Sequence, residues 1–187
     1  VMGGVFGVIA VESPLTKVVS NAAKYEIRNY PNCAAVVTQN DGVAAGGGFR
    51  HLASFIGAMG GTPANAASQP IAMTAPVLTS PGERGTMSFL LPKAMRVEDV
   101  PAPTDGAVRV ESVPERFYAV SEFSGWASEK DFEREEEAVR AALAEAKTCG
   151  FVASGAPALL ARYNPPWTLG PWRRNEVLVP VKLADES

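Results

Sequence analysis

Histidine is nearly missing from this chain: there is one in 187 residues, His51. A single imidazole excludes the two- and three-histidine constellations that hold most histidine-rich metal centres. Cysteine is almost as scarce. Cys33 and Cys149 stand far apart, form no CxxC pair and belong to no CxxCH signature. They read as two reduced, passive thiols in a reducing compartment, and covalent haem attachment has no support. No apolar run reaches the roughly 18 to 20 residues that a membrane-spanning helix needs. Positive charge is not in excess either: 17 Lys and Arg stand against 20 Asp and Glu, a net −3. A duplex-binding protein needs a basic face to displace counterions, so nucleic acid is not an expected partner. There is no GxSxG elbow, no HExxH and no Walker loop; the glycines at 46 to 48 lack the residues that would make them a phosphate cradle. Glu26, Glu111 and Glu122 fall in predicted strands with nothing to pair them as acid and base. The expectation is a protein that is not an enzyme and binds no metal through its own side chains.

What is present is an ordinary globular composition, 47% hydrophobic and 20% charged, sufficient for one domain with a full core. The start, VMGGVFGVIAVESP, is apolar but lacks a basic leading segment. It reads as a cytoplasmic chain rather than a secreted one, with the chloroplast left open if a transit peptide has been removed.

Strand patterns cover KYEIRNY (24–30) and CAAVVTQ (33–39), separated by Pro31 and Asn32. A helix follows through GFRHLASFIGAM, with Phe49, Leu52, Ile56 and Met59 on one face and His51 pointing away from it. Glycines 46 to 48 weaken its first turn. PIAMTAPVL reads as a short buried or edge strand and TMSFLLP as another. The order then recurs. VRVESVP and RFYAVSEF flank Pro114, and a long helix starts at the N-cap Ser128, with Asp131 completing a near capping box. Its buried stripe is Phe132, Val139, Leu143 and Ala146; Glu133 to Glu137 face water, and Gly150 ends it. Strands through ALLARYN and EVLVPVKL close the chain. The short proline turns suggest antiparallel hairpins. The fold expected is therefore α+β: one domain over residues 1–187 with two pseudo-symmetric strand–strand–helix–strand repeats (about 24–92 and 107–183). These would form a distorted antiparallel β-barrel or sheet flanked by two main helices and share a core.

The stretch ARYNPPWTLGPWRRNEV (161–177) is the one unusual motif, with two tryptophans, three prolines and a glycine leading into the adjacent pair Arg173 and Arg174. Two readings are open. The rings and cations hold an amphipathic ligand, or the tryptophans plug the core while Arg174-Asn175-Glu176 ties the loop to its own backbone.

Taken together, KYEIRNYP, GFRHLASFIGAM, IAMTAPV and YNPPWTLGPWRRNEV resemble the SOUL haem-binding family, over about Val5 to Val181 and most closely its plant and algal members. The resemblance implies reversible, non-covalent binding of haem or another porphyrin, as a carrier or buffer. The site would be an open apolar groove between the first helix and the loop before the last strand. Carried onto this chain, the candidate contacts are Phe49, Arg50, Ala53, Ser54 and Gly57 on the helix and Trp167, Leu169 and Trp172 as wall. Arg173 and Arg174 are the cations for the propionates. A porphyrin is a flat apolar plate with two carboxylates on one edge, which suits such a set. The chain departs from relatives with a proposed axial histidine by carrying Asn29. It departs from those with basic clamps by carrying Gly46, Ser54 and Thr168 at the matching positions. Met73 reads as a core residue before it reads as an iron ligand. The alternative function is an interaction or scaffold protein that keeps the fold without strong haem binding.

Overall fold

The computed structural model of the chain describes residues 9, 11–40, 47–82, 85–146, 150–165 and 167–184. The elements run β1 (Lys17–Asn21), β2 (Glu26–Tyr30), β3 (Cys33–Gln39), α1 (Gly47–Ile56), β4 (Val77–Thr79), β5 (Thr86–Leu90) and β6 (Arg109–Val113). They continue with β7 (Arg116–Phe123), α2 (Glu129–Glu145), β8 (Phe151–Ala153), β9 (Leu159–Arg162) and β10 (Asn175–Leu183). All eight ladders between these strands are antiparallel. The fold is α+β, as expected.

Two compact units divide the chain, and neither is a continuous segment. One is built mainly from Leu15–Pro31 and Glu115–Ser187, the other from Ala10–Pro14 and Asn32–Pro114. The first carries the strand order β1-β2-β7-β10-β9, with β8 also on β10; the second carries β4-β5-β3-β6. Read from opposite ends, β2-β7-β10-β9 matches β6-β3-β5-β4 strand for strand. The two sequence repeats are therefore real, but each lends its leading strand to the other's unit. β2 pairs with β1 and β7, while β3 pairs with β5 and β6. Likewise β6 pairs with β3, and β7 with β2 and β10. The expected hairpins at Pro31 and Pro114 are thus corrected. Both prolines mark places where the chain leaves one unit for the other. A proline lowers the freedom of a connection equally well in a hairpin or a crossing, so the residue type alone did not discriminate.

Each helix packs on the equivalent strands of its own unit: α1 on β3 and β5, α2 on β7, β8 and β10. Central strands β3 and β10 are buried almost throughout. Their apolar runs lack alternation for that reason. Each unit also has a buried cluster of its own. One gathers Ile27, Phe132, Val139, Leu143, Val177 and Val179, the other Val36, Leu52, Phe55, Ile56, Ile71 and Phe89.

In α2 the capping box forms as read. The Ser128 side chain accepts from the Asp131 N–H, and the Asp131 carboxylate accepts from the Ser128 N–H. Phe132, Val139 and Leu143 are buried, but the helix ends at Glu145, well before Gly150, and Ala146 is only its half-buried C-cap. Among the glutamates expected in water, Glu135 and Glu136 are half-buried.

In α1 the expected stripe is half right. Leu52 and Ile56 are buried, whereas Phe49 and Met59 are 39% and 56% exposed and Phe55 is fully buried. The reason is the end of the helix. Gly57 adopts φ +81°; its N–H bonds to the Ser54 carbonyl and the Ala58 N–H to the Ala53 carbonyl. This Schellman pair stops the helix before Met59 can continue the face. Gly48 earns its place at the other end: a Cβ there would lie 3.1 Å from the Gln39 carbonyl oxygen. The glycine lets α1 approach β3 closely, beyond the flexibility expected of it. PIAMTAPVL is extended in only its last part, as β4; Ile71, Thr74 and Ala75 are buried in irregular chain, and Met73 packs partly buried against the cluster.

Candidate functional site

The loop between β9 and β10 divides between the two roles open to it. Its β10 end is tied down. Glu176, wholly buried, accepts from Arg28 Nη1 at 2.8 Å and Arg174 Nη2 at 2.6 Å through Oε1, and from the Tyr163 hydroxyl at 2.7 Å through Oε2. Arg28 also donates to Glu26, and Arg174 pairs with Glu122 at 3.1 Å and lies 4.4 Å over the Tyr163 ring. The Arg174 N–H bonds to the Asn164 side chain and its carbonyl accepts from the Tyr163 N–H. Arg174 is thus held by its own unit through side chain and backbone alike.

Burial works against the Arg28 charge, but the hydrogen bond and the negative charge of Glu176 outweigh it and raise the guanidinium pKa. Burial, then the charge of Glu176, pushes the Tyr30 phenol up from 10.0 to about 12; burial, Tyr30 and Glu176 raise Tyr163 as well. Both phenols bind their protons more tightly folded than unfolded. Stability should therefore hold up to about pH 10 and fall above it, by about 1.4 kcal/mol per pH unit for each such group. Urea midpoints between pH 9 and 12 test this: Tyr30→Phe should flatten the alkaline decline.

The tryptophans behave differently. All three in the chain are exposed: Trp126 at 63%, Trp167 at 62% and Trp172 at 48%, with Leu169 at 46%. They do not plug the core. Thr168 between them is fully buried, which turns its neighbours outward. Arg173 is half-buried. Its Nε donates to the Thr168 carbonyl at 2.8 Å and its guanidinium lies 3.6 Å over the Trp126 ring. The three indoles and Leu169 thus present apolar surface to solvent.

The helix candidates lie in the other unit. Phe49 and Arg50 are exposed and Ser54 is half-buried. Phe49 meets the Phe89 ring edge-on at 5.4 Å. Ala53 is fully buried in the core cluster, and with Ser54 and Gly57 it forms the helix-ending turn. A Cβ at Gly57 would lie 2.8 Å from Pro63 Cγ. His51, read as a surface residue, holds Asp105 through Nδ1 at 2.5 Å. Asn29 donates to Glu115 at 2.6 Å. Glu26, Glu111 and Glu122 each pair with an arginine: Arg28, Arg109 and Arg174. Among the described residues no three of His, Cys, Asp and Glu cluster as a metal site. Cys33 is a free thiol whose pKa burial raises; Cys149 lies outside the described residues.

Sequence reasoning missed Trp126 and the full reach of Glu176. The signals were there: a tryptophan after glycine between a strand and an N-cap, and one carboxylate opening an otherwise apolar strand.

Two antiparallel α+β repeats that exchange their leading strands define the class. Solved structures share it. The chain is similar to the EcmrR C-terminal domain, with 9% identity over 91% of this chain and 99% of that one and a TM-score of 0.54. It is similar to a hydrolase from Listeria innocua, at 14% identity, 88% and 94% coverage and a TM-score of 0.57. It is also similar to an uncharacterized conserved protein from Listeria innocua, at 15%, 85%, 92% and 0.56. At such identities the likeness is one of fold. No curated protein matches the chain at a significant level. A family model described as SOUL heme-binding protein matches residues 11–180, nearly the whole chain. The chain belongs to the SOUL heme-binding protein family.

Proposed function

We propose that the protein binds haem or another porphyrin reversibly and without catalysis, as a carrier or buffer, with the β9–β10 loop as a principal contact. The observation that carries this reading is the outward display of Trp167, Leu169 and Trp172 in the loop that also carries Arg173. Family membership supports the ligand class. The residues fit the macrocycle: indole faces stack on a flat apolar ring, and a guanidinium matches a propionate. They offer a thin iron ligand set: His51 is the one histidine, with Nδ1 on Asp105 and Nε2 alone left to meet a metal, and Asn29, which donates to Glu115, stands where some relatives are proposed to carry an axial histidine. Arg174 is a structural residue in this reading, and Phe49 and Arg50 are the exposed helix positions that the family resemblance assigns to the ligand.

Metal-free protoporphyrin should then bind within about tenfold of haem, a difference of about 1.4 kcal/mol. Trp167→Ala and Trp172→Ala should each weaken both ligands by about 1 to 3 kcal/mol, as for bases stacked on aromatic side chains. Because the rings are exposed, denaturant midpoints should scarcely move. Visible absorption titrations of wild type and variants measure this, with Phe49→Ala as a separate test of the helix. A haem preference of several hundredfold, lost in His51→Ala, would show an axial ligand. The alternative, a surface for a partner's apolar segment, rests on the same exposed rings and gains if neither porphyrin binds saturably.

A further inference from the structure

Trp126 is the most exposed of the three tryptophans and also a firmly held one. It follows Gly125, which adopts φ +109° as the chain turns from β7 toward α2. That corner is stitched to the β9–β10 loop. The Gly125 N–H bonds to the Gly170 carbonyl at 3.1 Å, and the Asn175 amide donates to the Gly125 carbonyl at 3.0 Å. Gly170 itself has no left-handed backbone to explain it. A Cβ there would lie 2.7 Å from Trp126 Cδ1 and Nε1, so this glycine is required by the close approach of the indole. Arg173 completes the arrangement: its guanidinium stacks over the ring, its Nε is held by the Thr168 carbonyl, and its N–H bonds to the Gly170 carbonyl. An exposed indole gripped by a glycine, a corner and an arginine contributes little to burying a core. Its face carries the Arg173 guanidinium at 3.6 Å.

A guanidinium stacked by its face keeps its N–H edge in plane for a bidentate carboxylate, a geometry a lysine ammonium does not offer. We propose that Trp126 is a positioning residue that holds Arg173 as a carboxylate receptor, and that the ligands selected are therefore flat aromatic molecules bearing a free acid. The inference rests on the tetrapyrrole reading and adds to it the choice between acid and ester. Preorganisation is the physical gain, since a side chain already fixed loses less freedom on binding.

The test is to titrate metal-free protoporphyrin and its dimethyl ester, in the same mild detergent, into the full chain. The variants are Trp126→Ala, Trp126→Phe, Arg173→Ala, Gly170→Ala and the Trp126/Arg173 double alanine. Wild type should prefer the diacid by roughly 10- to 100-fold, the range of one charge-assisted bond. Arg173→Ala and Trp126→Ala should each bring that ratio near one with little change for the ester, and the double variant should be no worse than either. Trp126→Phe, which keeps a ring face, should retain most of the preference; Gly170→Ala should lose it by displacing the indole. Should Trp126→Ala fail to fold, the Phe and Gly170→Ala variants decide. A wild-type ratio near one, or a full preference surviving in Trp126→Ala or Gly170→Ala, overturns this inference while the tetrapyrrole reading stands. Absence of saturable binding by both porphyrins overturns that reading and this one with it.

Discussion

Glu176→Ala should lower the stability of the protein by about 3 to 5 kcal/mol, the cost of removing one partner from a buried ion pair. The carboxylate has no exposure, and three donors converge on it: Arg28, Arg174 and the Tyr163 hydroxyl. Arg28 is itself only 11% exposed, so the variant strands a guanidinium away from water with Glu26 still paired to it. Arg174, at 36% exposed and with Glu122 within reach, can relax toward solvent. Arg174→Ala should therefore cost distinctly less than Glu176→Ala, and Glu176→Gln, which keeps the shape and some hydrogen bonds, should fall between wild type and alanine. Denaturant midpoints of the three variants give the order directly. If Arg174→Ala proved as costly as Glu176→Ala, the network would hang on the arginine. The distinction bears on function, because the same tie fixes the end of the loop that displays Trp167 and Trp172. Porphyrin affinity of Glu176→Ala should drop even below denaturing conditions, through loss of loop order rather than loss of a contact.

Phe132→Ala should be comparably severe, about 3 to 5 kcal/mol. Phe132 is 1% exposed on α2 and belongs to the cluster with Ile27, Val139, Leu143, Val177 and Val179. Its ring takes the Phe123 ring edge-on at 5.1 Å and lies under the Arg162 guanidinium at 4.7 Å. Truncation removes an apolar volume that neighbours on a sheet and a helix cannot jointly refill, and it takes away the face on which Arg162 rests. Phe132→Leu, which conserves most of the volume, should cost less than about 1.5 kcal/mol. Ser128→Ala, one turn earlier, should cost about 1 kcal/mol because it loses only the cap. Thermal or urea unfolding of the three should rank them alanine, then the two milder changes. Parity between Phe132→Ala and Ser128→Ala would mean that the helix is held by its end and not by its packed face.

These two sites also separate what could be read early from what could not. The α+β class, the duplication, most strand positions, the Ser128 cap and the buried trio Phe132, Val139 and Leu143 all followed from local rules. Periodicity and cap chemistry act over a few residues, and those residues are adjacent in the chain. The family resemblance lay in blocks that are likewise local, KYEIRNYP, IAMTAPV and YNPPWTLGPWRRNEV. The loop stood out by composition alone, since three aromatic or apolar residues and two arginines sit within its few positions, but composition left open whether it holds a ligand or closes the core.

The pairing of strands was another matter. Nothing near Pro31 or Pro114 says whether the next strand folds back on its neighbour or crosses to a partner 86 to 94 residues away, as β2 does with β10's neighbour β7. The end of α1 at Gly57 depended on a left-handed residue and on Pro63 lying against it. The two arginines of one loop have the same local sequence signal, yet Arg174 is bound into a buried glutamate while Arg173 is stacked on Trp126. Sequence by itself determined the elements, the repeat and the chemical character of the loop, because these depend on short-range sterics and side-chain type. The tertiary structure alone decided which strands exchange, which glutamate is buried, and which arginine is tied to it while the other stacks on Trp126. Those depend on contacts between residues brought together only when the chain has closed, where the cost of an unpaired charge or an empty volume selects one arrangement.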